Sequence, residues 1–112
     1  AQIEHIDAIN NLEEILSVDG IDGSIIGPYD LSGSMGKPGK YNEPNVIGAL
    51  KTYEKISKKS GKPFGYHVIQ PDHKLVLDKI ESGYSIIAFS LDTLFLGTLC
   101  RDEMNSLRKL LS

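Results

Sequence analysis

Apolar residues along this chain follow two alternating patterns. Short apolar runs that stop at glycine or proline predict strands, whereas stretches with apolar residues every three or four positions predict helices. The predicted strands are residues 22–27, 63–69 and 84–90, preceded by the end of another strand at 2–4. The predicted helices are residues 5–18, 44–60, 72–83 and 102–111. Near-continuous apolar strands alternating with helices are typical of an α/β protein with a parallel sheet covered on both faces.

Glycine, proline and aspartate mark the expected ends of these elements. Pro44 suits the first turn of a helix, and Gly61 is expected to end that helix. Asp72 and Asp92 are candidate caps for the segments that follow them. Residues 31–43 contain three glycines and a proline with little apolar content, so they predict a long loop. Loops of that length in compact domains are usually functional.

Two architectures have this order of elements. One is a small doubly wound sandwich, and the other is a run of βα units from an eight-stranded (β/α)8 TIM barrel, which typically has about 250 residues. Only three complete strands and the end of a fourth are present, and a stable open sheet normally has more. The count therefore favours a partial TIM-barrel domain that spans residues 1–112.

Acidic side chains follow two neighbouring strands at the point where each strand ends. In both architectures functional residues gather at the carboxyl ends of the strands, and here Glu4 and Asp30 occupy those positions. Neighbouring strands lie about 4.8 Å apart, so the two carboxylates can hold one cation. Two acids without histidine or cysteine beside them favour Mg²⁺ or Mn²⁺. The alternatives are a strand-edge acid for Glu4 and a turn or cap aspartate for Asp30.

The residues beside Asp30 are candidates for binding a substrate. Gly27 and Pro28 form either a plain turn or a place where a ligand approaches the backbone closely. Tyr29 and Asp30 can offer backbone N–H groups to a carboxylate. His67, near the end of a later strand, is either a hydrogen-bonded core residue or a ligand-contacting one.

Composition excludes several classes of protein. The chain has 112 residues, 40% of them hydrophobic, and a net charge of −3. This charge does not predict a basic surface for binding nucleic acid. The lysines at 55, 58, 59 and 62 are interpreted as the solvated face of a helix. A single cysteine, Cys100, excludes an intramolecular disulfide and predicts a buried thiol in a cytoplasmic protein. No apolar run has the length of a membrane span.

Several segments together resemble the HpcH/HpaI aldolase family. These enzymes are metal-dependent class II pyruvate aldolases of the phosphoenolpyruvate/pyruvate barrel superfamily that act on 4-hydroxy-2-oxo acids. The resemblance covers nearly the whole chain, and the pairing of Ile-Glu with Gly-Pro-x-Asp-Leu-Ser is its most specific part. The segments that carry it are Gln2-Ile3-Glu4, Gly20-Ile21-Asp22-Gly23, residues 26–32, Met35-Gly36, Gly61-Lys62 and residues 83–92.

The resemblance implies a set of roles for the strand-end residues. Glu4 and Asp30 would be the protein ligands of the divalent cation, and the backbone at Tyr29 would help bind the carboxylate of pyruvate. Tyr29 replaces the small residue that the family usually has, and His67 replaces a commonly apolar residue near the substrate. The catalytic arginine and histidine–aspartate pair of the family lie in the first half of the barrel. The chain resembles strands 5 to 8, so its catalytic residues are expected upstream of residue 1.

The resemblance also implies a reaction and an assembly. The expected reaction cleaves a 4-hydroxy-2-oxo acid to pyruvate and an aldehyde through a metal-stabilised enolate. One alternative is a lyase for a CoA thioester of the citrate lyase type, and another is an inactive fragment that only binds metal or associates with itself. The family implies a homo-oligomer, either a trimer or a hexamer, with the helix at 102–111 exchanged between subunits.

Overall fold

The computed structural model describes residues 1–112 as a four-stranded parallel sheet with six helices. The strands are β1 (Gln2–Ile3), β2 (Ser24–Ile26), β3 (Phe64–Val68) and β4 (Ile86–Phe89). Their order in the sheet is the order in the chain. Ile25 pairs with Gly65, and Gly65 pairs with Ile86, so one row of residues crosses three strands.

The helices follow the predicted positions with three differences. They are α1 (Ile6–Asn10), α2 (Leu12–Ser17), α3 (Pro28–Ser34), α4 (Pro44–Ser60), α5 (His73–Glu81) and α6 (Asp92–Leu111). The single helix predicted at 5–18 is broken at Asn11, whose backbone leaves the helical region with φ −106° and ψ 15°. The loop predicted at 31–43 begins inside α3, and the last helix begins ten residues before the predicted start at residue 102.

The strand order distinguishes the two architectures. A doubly wound sheet reverses its order at a switch point, whereas here each strand lies beside the next without reversal. Since strand–helix–strand connections are right-handed, an unreversed order places the helices on the same face of the sheet. This arrangement is the wall of a β/α barrel, and the fold is therefore a four-stranded portion of one.

The helices cover one face of the sheet and leave the other open. Ile3, Ile26 and Phe64 point toward the helices and are at most 6% exposed. Their neighbours Ile25 and Ile86 point the opposite way, and Ile86 is 42% exposed. The prediction of a sheet covered on both faces was therefore wrong for these residues. In a barrel the second face is covered by the strands across the lumen rather than by helices.

Aromatic side chains fill the layer between the sheet and α4. Tyr53 of α4 lies 6.4 Å from Phe64 and 6.4 Å from Tyr84 between ring centroids. Tyr84 also packs against Tyr66 at 5.4 Å. Burial, followed by the nearby Tyr41 and Asp78, raises the pKa of Tyr66 to about 12, and burial also raises the pKa of Tyr84. These rings therefore stay protonated at neutral pH and pack as neutral groups.

The carboxyl-terminal helix α6 is almost unpacked. None of its 20 residues is buried, and Cys100, which the sequence predicted to be buried, is exposed on it. The thiol is exposed because it lies on a helix that has no buried face. No helix in the chain combines the length and apolar content needed to cross a bilayer.

Candidate active site at the strand ends

Glu4 lies across the end of the neighbouring strand. It follows β1, and Gln2 donates a hydrogen bond from Nε2 to Oε1 of Glu4 at 2.6 Å. The Gly27 N–H donates to the Ile3 carbonyl at 3.0 Å, which brings β2 alongside β1 at this point. A Cβ atom on Gly27 would lie only 2.9 Å from Glu4 Oε1 and 3.0 Å from Glu4 Cγ. Gly27 therefore provides the space in which the Glu4 carboxylate lies.

Asp30 occupies the first turn of α3, directly after the end of β2. Pro28 begins this helix, and its fixed φ and missing N–H are suited to that position. Asp30 is exposed, so its carboxylate is open to a ligand from solvent. The first helical hydrogen bond runs from the Leu31 N–H to the Gly27 carbonyl at 3.0 Å, and the N–H groups of Tyr29 and Asp30 have no acceptor within the chain.

Two serines attach α3 to its surroundings. The Ser32 hydroxyl donates to the Tyr29 carbonyl at 2.7 Å and accepts from the Gly39 N–H at 3.0 Å, which holds the loop after α3 against the helix. The Ser34 hydroxyl accepts from the Ile6 N–H at 3.0 Å. That bond links the start of α1, two residues after Glu4, to the helix that carries Asp30. Ser34 therefore connects the two acid-bearing segments, and Ser32 holds the following loop.

His67 lies beside Gly27 on the open face of the sheet. Ile26 pairs with Tyr66, so the next residues, Gly27 and His67, are neighbours at the carboxyl end. The His67 Nε2 atom lies 3.4 Å from the Ser90 carbonyl oxygen. Ser90 has a positive φ of 57°, which is uncommon for a residue other than glycine, and its hydroxyl donates to the Ile69 carbonyl at 2.8 Å.

A cavity of about 330 Å³ lies between β3, the loop after α3 and α5. Its lining includes Pro28, Tyr41, Asn42, His67 and Gln70. Burial, followed by the neighbouring Tyr29 and Asp30, raises the pKa of the half-buried Tyr41 hydroxyl. The Tyr41 hydroxyl therefore remains a hydrogen-bond donor at neutral pH.

The structure brings most of the sequence-predicted residues to one end of the sheet. Glu4 contacts Gly27, and Pro28 lines the same cavity as His67. Tyr29 lies beside them, half exposed, with its ring 3.5 Å from the position of a Cβ on Gly39. Two residues were missed. Gln2 could have been found from its two-residue spacing to Glu4, which puts both on one face of a strand, whereas Tyr41 gave no signal.

The donor set at this end of the sheet suits a hard divalent cation. The chain has no group of three or more histidine, cysteine, aspartate and glutamate side chains that could form a metal cage. Glu4 and Asp30 offer carboxylate oxygens only, and such ligands suit Mg²⁺ or Mn²⁺ when water and substrate complete the coordination. Gly27 leaves room for the Glu4 carboxylate at the strand end, which fits the role of Glu4 as a metal ligand.

Parallel strands with helices on one face form part of a β/α barrel. The functional site of such a barrel lies at the carboxyl ends of its strands, where the acids of this chain are found. The HpcH/HpaI aldolase/citrate lyase family model matches residues 1–96. The chain belongs to this family of aldolases and lyases.

Known proteins similar to the chain include aldolases. A hydroxypyruvate/pyruvate aldolase of Sagittula stellata is 39% identical over 97 residues, which are 87% of this chain and 38% of that protein. A 2-keto-3-deoxy-L-rhamnonate aldolase of Escherichia coli is 37% identical over 93 residues, which are 83% of this chain and 34% of that protein. The chain therefore spans little more than a third of these relatives.

The fold is also found in solved structures. The crystal structure of an HpcH/HpaI aldolase from Desulfitobacterium hafniense matches with a TM-score of 0.87 and 28% identity. The match covers 96% of this chain and 41% of that structure. The four strands and their helices thus match part of a larger fold in that relative.

Proposed function

We propose that the protein carrying this chain is a metal-dependent aldolase that cleaves a 4-hydroxy-2-oxo acid to pyruvate and an aldehyde. The observation that carries this proposal is the placement of Glu4 across Gly27, one strand away from the helix turn that bears Asp30. Membership of the aldolase/citrate lyase family and the likeness to a hydroxypyruvate/pyruvate aldolase support the reaction class.

The residues of this chain would bind and orient the oxo acid rather than move its protons. Glu4 and Asp30 would hold Mg²⁺ or Mn²⁺, and Gln2 would orient the Glu4 carboxylate through the bond to Oε1. A divalent cation bound there supplies positive charge that stabilises a developing enolate. The free N–H groups of Tyr29 and Asp30 suit the carboxylate of the oxo acid. The proton-transferring residues are expected upstream of residue 1.

The test compares two neutralised acids with a third acid in the protein that carries the chain. Glu4→Gln and Asp30→Asn should lower Mn²⁺-dependent pyruvate release at least a hundredfold, because each removes one anionic ligand. They should also weaken Mn²⁺ binding, followed by the electron paramagnetic resonance of the free ion. Asp22→Asn is the matched control, since this exposed acid precedes β2 at the opposite end of the strand.

Three outcomes would count against this assignment. Full metal-dependent activity in the Glu4→Gln or Asp30→Asn variant would remove the proposed ligand pair. Cleavage of a citryl or malyl thioester of CoA without pyruvate release from a hydroxy-oxo acid would favour the thioester lyase. Metal binding without turnover of either substrate class would favour an inactive protein.

A further inference from the structure

We infer that Ser34 is a positioning residue that fixes the Glu4 carboxylate relative to Asp30 and thereby makes the proposed metal site selective for Mg²⁺ over Ca²⁺. This inference rests on the proposed function, because it concerns the same metal site. Ser34 is the last residue of α3, and its side chain bonds to a segment that lies 28 positions earlier in the chain.

Two hydrogen bonds hold the backbone on either side of Glu4, and both come from α3 and its cap. Before Glu4, the Ile3 carbonyl accepts from the Gly27 N–H at 3.0 Å. After Glu4, the Ile6 N–H donates to the Ser34 hydroxyl at 3.0 Å. Gly27 and Ser34 are the cap and the last residue of α3, whose first turn carries the second proposed ligand. The two ligands are therefore connected through both ends of one short helix.

The Ser34 hydroxyl links Ile6 to a helix that is itself anchored in the core. Ile6 begins α1, so its N–H has no acceptor within that helix and uses the Ser34 oxygen instead. The Ser34 hydroxyl in turn donates to the Leu31 carbonyl at 2.7 Å. Leu31 is fully buried, which fixes α3 against the core. The backbone that follows Glu4 is therefore held to a fixed support.

A fixed separation between two carboxylates matters more for Mg²⁺ than for Ca²⁺. Mg²⁺ requires near-ideal octahedral geometry with oxygens at about 2.1 Å, whereas Ca²⁺ takes more oxygens, at about 2.3–2.6 Å, in flexible arrangements. Loss of the Ser34 hydroxyl would release the backbone after Glu4, so that its carboxylate could move relative to Asp30. That movement should weaken Mg²⁺ binding more than Ca²⁺ binding.

The experiment measures cation binding to the full protein that carries this chain. Mg²⁺ and Ca²⁺ are each titrated against bound Mn²⁺, and the electron paramagnetic resonance of the released Mn²⁺ gives the two dissociation constants. The decisive quantity is the ratio of the Ca²⁺ constant to the Mg²⁺ constant. A partly unfolded preparation would reduce the number of sites without changing this ratio, so a loss of stability cannot imitate the expected effect.

Three variants test the role of the hydroxyl. Ser34→Ala should lower the ratio about fivefold, which corresponds to one neutral hydrogen bond, mainly by weakening Mg²⁺ binding. Ser34→Thr keeps the hydroxyl and should keep the ratio of the unmodified protein. Ser17→Ala is the matched control, since Ser17 also ends a short helix and donates to a carbonyl three residues earlier, that of Glu14 at 2.7 Å, but bonds to no other segment. Its ratio should also be unchanged.

The possible results separate this inference from the proposed function. An unchanged ratio in Ser34→Ala would overturn the inference alone. An equal fall in Ser34→Ala and Ser34→Thr would also overturn it, because the hydroxyl would then not be the cause. A similar fall in Ser17→Ala would do the same, since that variant leaves the bond to Ile6 intact. Failure of the unmodified protein to bind Mn²⁺ would overturn the proposed function and the inference with it.

Discussion

At the scale of single residues, the site depends on a glycine. Gly27 has no side chain where the Glu4 carboxylate lies, and a methyl group there would be 2.9 Å from Oε1. Real Cβ atoms essentially never approach another atom so closely, so Glu4 would have to move. The carboxylate of Glu4, a proposed metal ligand, can thus occupy this position only because Gly27 on the next strand has no side chain.

This contact predicts the effect of one added methyl group. Gly27→Ala should weaken Mn²⁺ binding and lower pyruvate release at least tenfold in the protein that carries the chain, because the displaced carboxylate no longer faces the cation. Gly33→Ala in α3 is the matched control, since a Cβ there has no atom within 4 Å. Equal metal affinity in the two variants would show that the Glu4 position does not matter for binding.

The sequence could predict some of these residues because their positions depend on local patterns. Glu4, Gly27 and Asp30 each end or follow an apolar run, and parallel strands deliver such residues to one edge. Tyr41 could not be found in this way. It lines a cavity with Pro28 and His67, in a loop that the Ser32 hydroxyl holds by accepting the Gly39 N–H, and no periodicity encodes that contact.

At the scale of elements, one buried hydroxyl pair attaches α4 to the sheet. The Tyr53 hydroxyl of α4 donates to the Gly65 carbonyl of β3 at 3.2 Å and lies 2.9 Å from the Ser24 hydroxyl of β2. All three residues are buried. The Tyr53 hydroxyl therefore joins α4 to the adjacent strands β2 and β3.

The shared hydrogen bond predicts non-additive losses of stability. Tyr53→Phe should lower the free energy of unfolding by about 1–3 kcal/mol, because it leaves the Ser24 hydroxyl buried without a partner. The double variant Tyr53→Phe with Ser24→Ala should cost less than the sum of the single variants by about 1 kcal/mol. Urea unfolding of the four proteins measures this coupling, and strict additivity would refute it.

The helices and strands could be predicted where the spacing of apolar residues agreed with the residues that typically begin or end an element. Pro44 and Gly61 bound α4 as expected, with Gly61 at φ 70°, and Asp72 caps α5 by accepting from the Lys74 N–H at 2.9 Å. The predictions failed where local signals were misleading. The glycines at 33 and 36 suggested a loop, yet α3 continues to Ser34, and the Ser32 and Ser34 hydroxyls donate to backbone carbonyls one turn earlier.

At the scale of the whole molecule, two apolar surfaces have no covering within the chain. One is the open face of the sheet, where Ile25 and Ile86 close over Gly65 and where β1 and β4 are unpaired edges. The other is α6, on which Leu96, Leu99 and Leu110 are 66%, 62% and 84% exposed. Apolar surfaces of this extent mark interfaces in larger proteins and association in isolated fragments.

We therefore expect residues 1–112, expressed alone, to associate with themselves. Light scattering after size-exclusion chromatography should give a mass that is a multiple of 12.3 kDa, with strong binding of a hydrophobic dye. A second chain that ends at residue 91 separates the two surfaces, because it keeps the sheet and removes α6. Persistent association of the shorter chain would assign the interaction to the open sheet face, and loss of association would assign it to α6. A monodisperse monomer of the full 112 residues would contradict the expectation, since an exposed sheet face and an uncovered helix would then both be tolerated in water.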